Sequence, residues 1–129
     1  KRSVNSSDVI LLPHLGVSTK EAEINCAIMA AEQAAKFLKD GEIVNSVNFP
    51  TVKISRSSNF RLVIIHKDEP GVIGSITSEI AAHNLNIADM INKSRNLIAV
   101  TIIDLDERPG KEAIQNIKQK NSILSLRMC

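Results

Sequence analysis

Between residue 60 and the C terminus, apolar periodicity alternates between strand and helix in one order, which restricts the fold more than any other feature. Arg61-Leu62-Val63-Ile64-Ile65-His66 is a β-branched strand. Asp68-Glu69-Pro70-Gly71 starts a helix, because proline suits a first turn where its missing amide has no partner to lose. Val72, Ile73, Ile76, Ile80 and Ala81 then form an inward stripe at helical spacing, and Asn84 suits the left-handed exit. Asn86 to Lys93 reads as a strand, Ser94-Arg95-Asn96 as a turn, and Leu97 to Asp106 as the returning strand. Arg108-Pro109-Gly110 restarts a helix carrying Ala113, Ile114 and Ile117, and Ile123 to Met128 is the last strand. The order β-α-β-β-α-β is the split βαβ arrangement of the α+β class: an antiparallel sheet with both helices on one face.

The strands carry a further signal. Leu62 and Ile64 point to one face while Val63 and Ile65 point to the other, and the strand from Leu97 repeats this pattern. A sheet covered on one face alternates more cleanly. The expectation is that something covers the second face or extends the sheet edge, which favours self-association.

The N-terminal part is built differently. Val9-Ile10-Leu11-Leu12 is a short buried-type strand that ends at Pro13. Ser18-Thr19-Lys20-Glu21 has capping-box spacing, so Ser18 opens a helix over 18–40. Ile24, Ile28, Ala31, Ala35 and Leu38 give it an apolar face, and Asp40-Gly41 supplies a left-handed stop. Nothing nearby in the chain is large enough to cover that face, so its partner is absent or is another copy. Ser55-Arg56-Ser57-Ser58-Asn59 is polar and turn-rich, and marks the domain boundary.

Composition narrows the function classes. The chain has 129 residues, no Trp or Tyr, and a net charge of +2, too small to call for nucleic acid or a membrane. Two distant cysteines fit a reducing, cytoplasmic setting, with Cys26 read as a small buried hydrophobe. Three separated histidines make no metal-ligand spacing, and His83 near a helix end reads as solvated. No metal and no membrane partner are expected. The chain begins without Met, which fits a fragment of something longer.

Two clusters carry candidate chemistry. His14, in the tight loop Leu12-Pro13-His14-Leu15-Gly16, sits at a strand-to-helix junction, and because an unperturbed imidazole changes charge near neutrality, a histidine there is placed to move a proton. It lacks the orienting partner and pocket that a proton shuttle needs. The second cluster is His66, Asp68 and Gly71, followed by Asn86. Free amides at a helix N-terminus near Gly71 attract a carboxylate, and Asp68 can pair with an ammonium group, which together suit a free amino acid. The alternative is that Asp68 caps the helix and Asn86 fills a turn.

Asp68-x-Pro70-Gly71-Val72 after a strand, with Asn84-Leu85-Asn86-Ile87 after the helix, resembles an ACT domain, a regulatory module of ferredoxin-like βαββαβ fold. That resemblance implies amino-acid binding at an interface between two copies. Leu11-Leu12-Pro13-His14-Leu15-Gly16-Val17-Ser18-Thr19-Lys20-Glu21-Ala22 resembles the catalytic-histidine segment of D-2-hydroxyacid dehydrogenases. Val47-Asn48-Phe49-Pro50 before an ACT domain is similar to the D-3-phosphoglycerate dehydrogenase branch of that family.

The resemblance implies a parent enzyme that oxidises 3-phosphoglycerate with NAD, with His14 as its acid/base. The arginine, the glutamate and the dinucleotide fingerprint of that family lie upstream, so this chain alone should bind no NAD and be inactive. Gly71-x-x-Gly74 lacks the three-glycine spacing of a nucleotide turn. The implied division is a catalytic-domain remnant at 1–50, a linker at 51–59 without the glycines of the family's hinge, and an ACT domain at 60–129. The implied effector, L-serine or a similar amino acid, rests on His66, Asp68, Gly71 and Asn86, with Asp68 standing where the family has asparagine and Glu69 where it has a basic residue. Self-association runs through the ACT domain, the long helix or both. Two alternatives remain: an oligomerisation module without a ligand, and, remotely, an RNA-binding sheet, which the missing strand aromatics and low charge oppose.

Overall fold

The computed structural model describes residues 19–129. The His14 loop, the strand before it and Ser18 lie outside the described residues. Two compact units divide at Glu32 and Gln33. Helix α1, Lys20–Asp40, starts in the first unit, where Thr19 Oγ accepts the amide of Ala22 at 3.1 Å. The observed cap is therefore Thr19, one residue after the serine that the capping-box spacing designates. Cys26 is exposed, as are Ile24 and Ile28. The reading of Cys26 as a buried hydrophobe is thus corrected: α1 has no buried residue at all.

The second unit holds the split βαβ sheet. Its elements are β1 (Phe60–Lys67), α2 (Val72–Ala82), β2 (Ile87–Arg95), β3 (Ile98–Leu105), α3 (Lys111–Lys118) and β4 (Ile123–Met128). The strands are antiparallel in the order β2-β3-β1-β4, so β2 and β4 are edges. Asn84 takes a positive φ of 56° where α2 exits. The β2–β3 turn falls on Asn96 and Leu97, later than Ser94–Asn96, and both carry positive φ, 53° and 30°. That is the primed-turn pattern that matches strand twist, with leucine where glycine is the easier residue.

Each face of the sheet has its own core. On the helix face, Leu62, Ile64, Ile103 and Leu105 pack against Val72, Ile76 and Ile80 of α2 and Ile117 of α3. The stripe read from sequence is narrower in fact, since Ala81 is exposed. On the other face, Val63, Val100 and Ile102 are covered by Ile43 and Val52, with Phe37, Phe49 and Ile54 at the margin. The chain therefore covers its own second face. Ile43 and Val52 form a bridge with mutual amide bonds of 2.9 and 2.8 Å, closing residues 43–52 into a strap. The two-faced strands are accounted for within the chain, so they carry no argument for a second copy.

Gly41 makes the turn from α1 into the strap. Its φ is +71°, its amide bonds Phe37 O at 2.9 Å, and a Cβ there would lie 2.1 Å from Val63 Cγ2. Only glycine fits both the left-handed backbone and this approach to β1.

Candidate functional site

The sequence-read site residues fall into three settings. His66, at the end of β1, is buried, because the helix face of the sheet closes over it. Its Nδ1 lies 2.8 Å from Lys67 O, and since a carbonyl only accepts, Nδ1 carries the hydrogen. Its Nε2 lies 2.8 Å from Thr101 Oγ1, which is 2.8 Å from Asn92 Oδ1. A polar chain thus crosses from β1 through β3 to the edge strand β2. Thr101 and Asn92 were not singled out from sequence; their cross-strand pairing is the only signal for them.

Asp68 and Gly71 sit in the loop that turns from β1 into α2. The Asp68 amide donates to Leu97 O at 2.9 Å, which ties the loop to the β2–β3 turn. Its carboxylate is exposed and forms no hydrogen bond among the described residues. Gly71 is the N-cap of α2 with φ 84°, and no side chain caps the helix. The capping reading of Asp68 therefore does not hold. A Cβ on Gly71 or on Gly74 would meet nothing within 4 Å, so the helix N-terminus opens to space. Glu69 is held by Ser122 Oγ at 3.0 Å. Beside the loop, Lys67, Asp68, Glu69, Leu97, Ile98 and Leu124 line a cleft of ≈ 390 Å³.

Asn86 is elsewhere. Ile87 pairs with Leu105, which pairs with Phe60, placing Asn86 at the opposite end of the sheet from Lys67. Its Nδ2 donates to Asp106 Oδ2 at 2.5 Å. The length of α2, about 16 Å at 1.5 Å per residue, separates it from Gly71. One chain brings Asp68 and Gly71 together and leaves Asn86 apart.

The strongest electrostatic feature was not read from sequence. Arg61 and Asp104 are cross-strand partners, both fully buried on the strap face. The guanidinium meets the carboxylate twice, Nε to Oδ1 at 2.6 Å and Nη2 to Oδ2 at 2.8 Å. Asp104 Oδ2 also accepts the amide and hydroxyl of Ser57, at 2.8 and 2.9 Å. Burial alone would push the Asp104 carboxyl up; the bonds from Arg61 and Ser57 outweigh it and hold the group below its usual value. The bond to Asp104 raises Arg61 in turn, against the effect of burial. The signal was available: each is a charge of opposite sign in an otherwise apolar strand series, Arg61 with Val63 and Ile65, Asp104 with Val100 and Ile102.

His83 is engaged rather than solvated. Its Nε2 lies 3.2 Å from Glu79 Oε1, which also accepts Asn116 Nδ2 at 2.7 Å. The Asn116 bond is the main reason the Glu79 carboxyl sits below its usual value, with His83 and Lys120 adding to it against burial. Among the described residues, no group of three or more His, Cys, Asp or Glu side chains is placed to hold a metal, and no helix is long and apolar enough to cross a membrane.

Comparison with known proteins completes the description. The family described as "ACT domain" matches residues 60–121. The D-3-phosphoglycerate dehydrogenase of Escherichia coli is 32% identical over 113 residues, covering 86% of this chain and 28% of that protein. D-3-phosphoglycerate dehydrogenase 1 of Saccharomyces cerevisiae is 29% identical over 133 residues, covering 97% of this chain and 28% of that protein. The chain thus spans a little over a quarter of these relatives, in their C-terminal ACT region. Among solved structures, the ACT domain from GTP pyrophosphokinase of Chlorobium tepidum superposes with a TM-score of 0.46 at 12% identity, over 54% of this chain and 95% of that one.

Proposed function

Residues 60–121 match the ACT-domain family, and from that match we propose that the chain is the amino-acid-sensing, self-associating regulatory part of a D-3-phosphoglycerate dehydrogenase. The parent oxidises 3-phosphoglycerate in serine synthesis with NAD as hydride acceptor, in the cytoplasm, and His14 is its acid/base. Residues 60–129 carry no dinucleotide fingerprint, so this part binds no NAD and turns over nothing by itself.

The observation that carries the sensing role is the N-terminus of α2. No side chain caps α2 at Gly71, where the helix N-terminus opens to space, and the Asp68 carboxylate in the same loop has no hydrogen bond among the described residues. Amides at a helix N-terminus attract a carboxylate, and a carboxylate attracts an ammonium group. The pair matches the two charged ends of a free amino acid, L-serine first.

Asn86 completes the site from a second copy. β2 is an edge of nine residues, exposed along most of its length, with no proline to block pairing. Antiparallel pairing of β2 with β2 of another copy sets the start of one strand beside the end of the other. Asn86 of one copy then lies at the sheet end that carries Asp68 and Gly71 of its partner. The strap covers the other sheet face, which leaves the edge and the exposed α1 residues Ile24, Ile28 and Leu38 for association. His66 supports the site from beneath by fixing the end of β1.

Calorimetric titration with L-serine, alongside sedimentation, tests this reading. Heat at millimolar serine, lost in Asp68→Ala and Asn86→Ala with the dimer intact, is the expected result. A folded dimer that gives no heat removes the sensing role and leaves an oligomerisation module. A monomer removes the shared site.

A further inference from the structure

Three arginines from three separate places in the fold converge on the last turn of α1. Arg56, in the turn before β1, donates Nη2 to Lys39 O at 3.0 Å. Arg61 of β1 donates Nη1 to Asp40 O at 3.0 Å and to Ile54 O at 3.2 Å. Arg127 of β4 donates Nη2 to Phe37 O and lies 4.3 Å over the Phe37 ring. The final carbonyls of a helix have no intrahelical partner and carry its negative dipole end, so guanidinium groups are the donors that suit them. Arg56 Nε also lies 3.4 Å from Asp40 Oδ1.

The clasp is continuous with the sheet interior. Arg61 is the one member that is fully buried, and Asp104 of β3 fixes its orientation through both oxygens. Asp104 in turn holds Ser57, in the segment that sequence reading made a linker. Residues 43–52 are closed by their own bridge, and Arg95 of β2 donates Nη1 to Ser46 O at 3.2 Å. Every strand but one edge thus supplies a group to this system through β1, β3 and β4, and β2 adds a contact to the strap.

We propose that Arg56, Arg61 and Arg127 are positioning residues that couple the end of α1 rigidly to the sheet, so that residues 41–59 act as a strap and not as a hinge. A shift of β3 relative to β1 moves the Asp104 carboxylate, then the Arg61 guanidinium, then the Asp40 carbonyl. The coupling follows from the clasp itself and holds whichever ligand the domain takes.

Asp104 makes no hydrogen bond to α1, which permits a clean test. Amide hydrogen exchange is measured across the full 129-residue chain for the unaltered protein, for Asp104→Asn, and for the pair Arg56→Met with Arg127→Met. In the unaltered protein, the Gly41, Ile43 and Val52 amides should be protected to a degree comparable with β1. Asp104→Asn lowers global stability and so speeds every amide that exchanges through global opening; Gly41 and Ile43 should speed up by a further factor of roughly tenfold or more relative to the α2 and α3 amides. The arginine pair should do the same without touching Asp104. Strap amides that exchange as freely as an open chain in the unaltered protein would show a hinge and overturn the proposal. So would a rise at Gly41 and Ile43 in Asp104→Asn no larger than the rise at α2 and α3, which marks a loss of global stability with no transmission.

Discussion

Removing one member of the Arg61–Asp104 pair should cost far more than its share of removing both. Asp104→Ala leaves a fully buried guanidinium without its counter-charge and deletes the two bonds of 2.6 and 2.8 Å. Hydrogen bonds to charged groups contribute about 1.5–3 kcal/mol each, so two of them give about 3–6 kcal/mol. Breaking a buried ion pair from one side costs about 3–5 kcal/mol by a separate route, and the two ranges agree. Arg61→Met strands the carboxylate instead and falls in the same range, and it also leaves the carbonyls of Asp40 and Ile54 without that donor. The double variant Arg61→Met with Asp104→Leu has no orphaned charge. It loses the two carbonyl bonds of Arg61 and the two bonds from Ser57 to Asp104, for about 2–6 kcal/mol. The single costs each contain the penalty of one stranded charge, about 3–5 kcal/mol, which the double lacks, so the two singles should sum to well above the cost of the double. Equilibrium urea unfolding followed by far-UV circular dichroism measures all three against the unaltered chain. A total stability of about 5–15 kcal/mol can be exhausted by a single variant, so Asp104→Asn is included; its one remaining acceptor oxygen should keep the loss below that of Asp104→Ala. Additivity of the two single substitutions within about 0.5 kcal/mol would refute the account, since it would mean the charges do not depend on each other.

Other expectations follow from neighbouring features. Because Asp104 titrates below its usual value in the folded chain, its contribution is present above about pH 4 and is lost as pH falls through the folded-state value; urea midpoints between pH 6 and pH 2 should fall less steeply in Asp104→Asn. Gly41→Ala combines a left-handed backbone penalty of about 1–2 kcal/mol with overpacking of about 1–3 kcal/mol against Val63. In a Val63→Ala background the second part should vanish, and an unchanged cost there would refute the steric explanation. Leu97→Gly should stabilise the chain by about 0.5–1 kcal/mol in thermal unfolding, because a side chain 85% exposed gives up little packing while a strained φ of 30° is relieved.

How much of this could be read in the chain depends on the range of the interactions. The βαββαβ order was legible because each element carries its own periodicity and its own stop, from Pro70-Gly71 to the Asn84 exit. Gly41 was legible as a helix stop for the same local reason. The covered second face was half legible: Val63, Ile65, Val100 and Ile102 announced that a cover exists, but its source lay in Ile43 and Val52, in a stretch of mixed polarity with no period. Arg61 and Asp104 were missed because their meaning depends on register across 43 positions of sequence separation, which no local pattern encodes. Of the candidate site, Asp68 and Gly71 fall together because they share a loop. Asn86 does not join them, since a helix intervenes.

The strap has a consequence for where this domain begins. The family match starts at residue 60, on the first residue of β1. A protein cut there would present Val63, Val100 and Ile102 to water as a bare aliphatic surface, and Arg61 would lose the carbonyls it donates to. Such a surface is a template for aggregation. The boundary drawn by family resemblance and the boundary drawn by solvent therefore differ by nearly thirty residues, since the compact unit starts at Gln33. Any excision, fusion or domain exchange that respects the first and ignores the second removes one wall of the hydrophobic interior along with the tether.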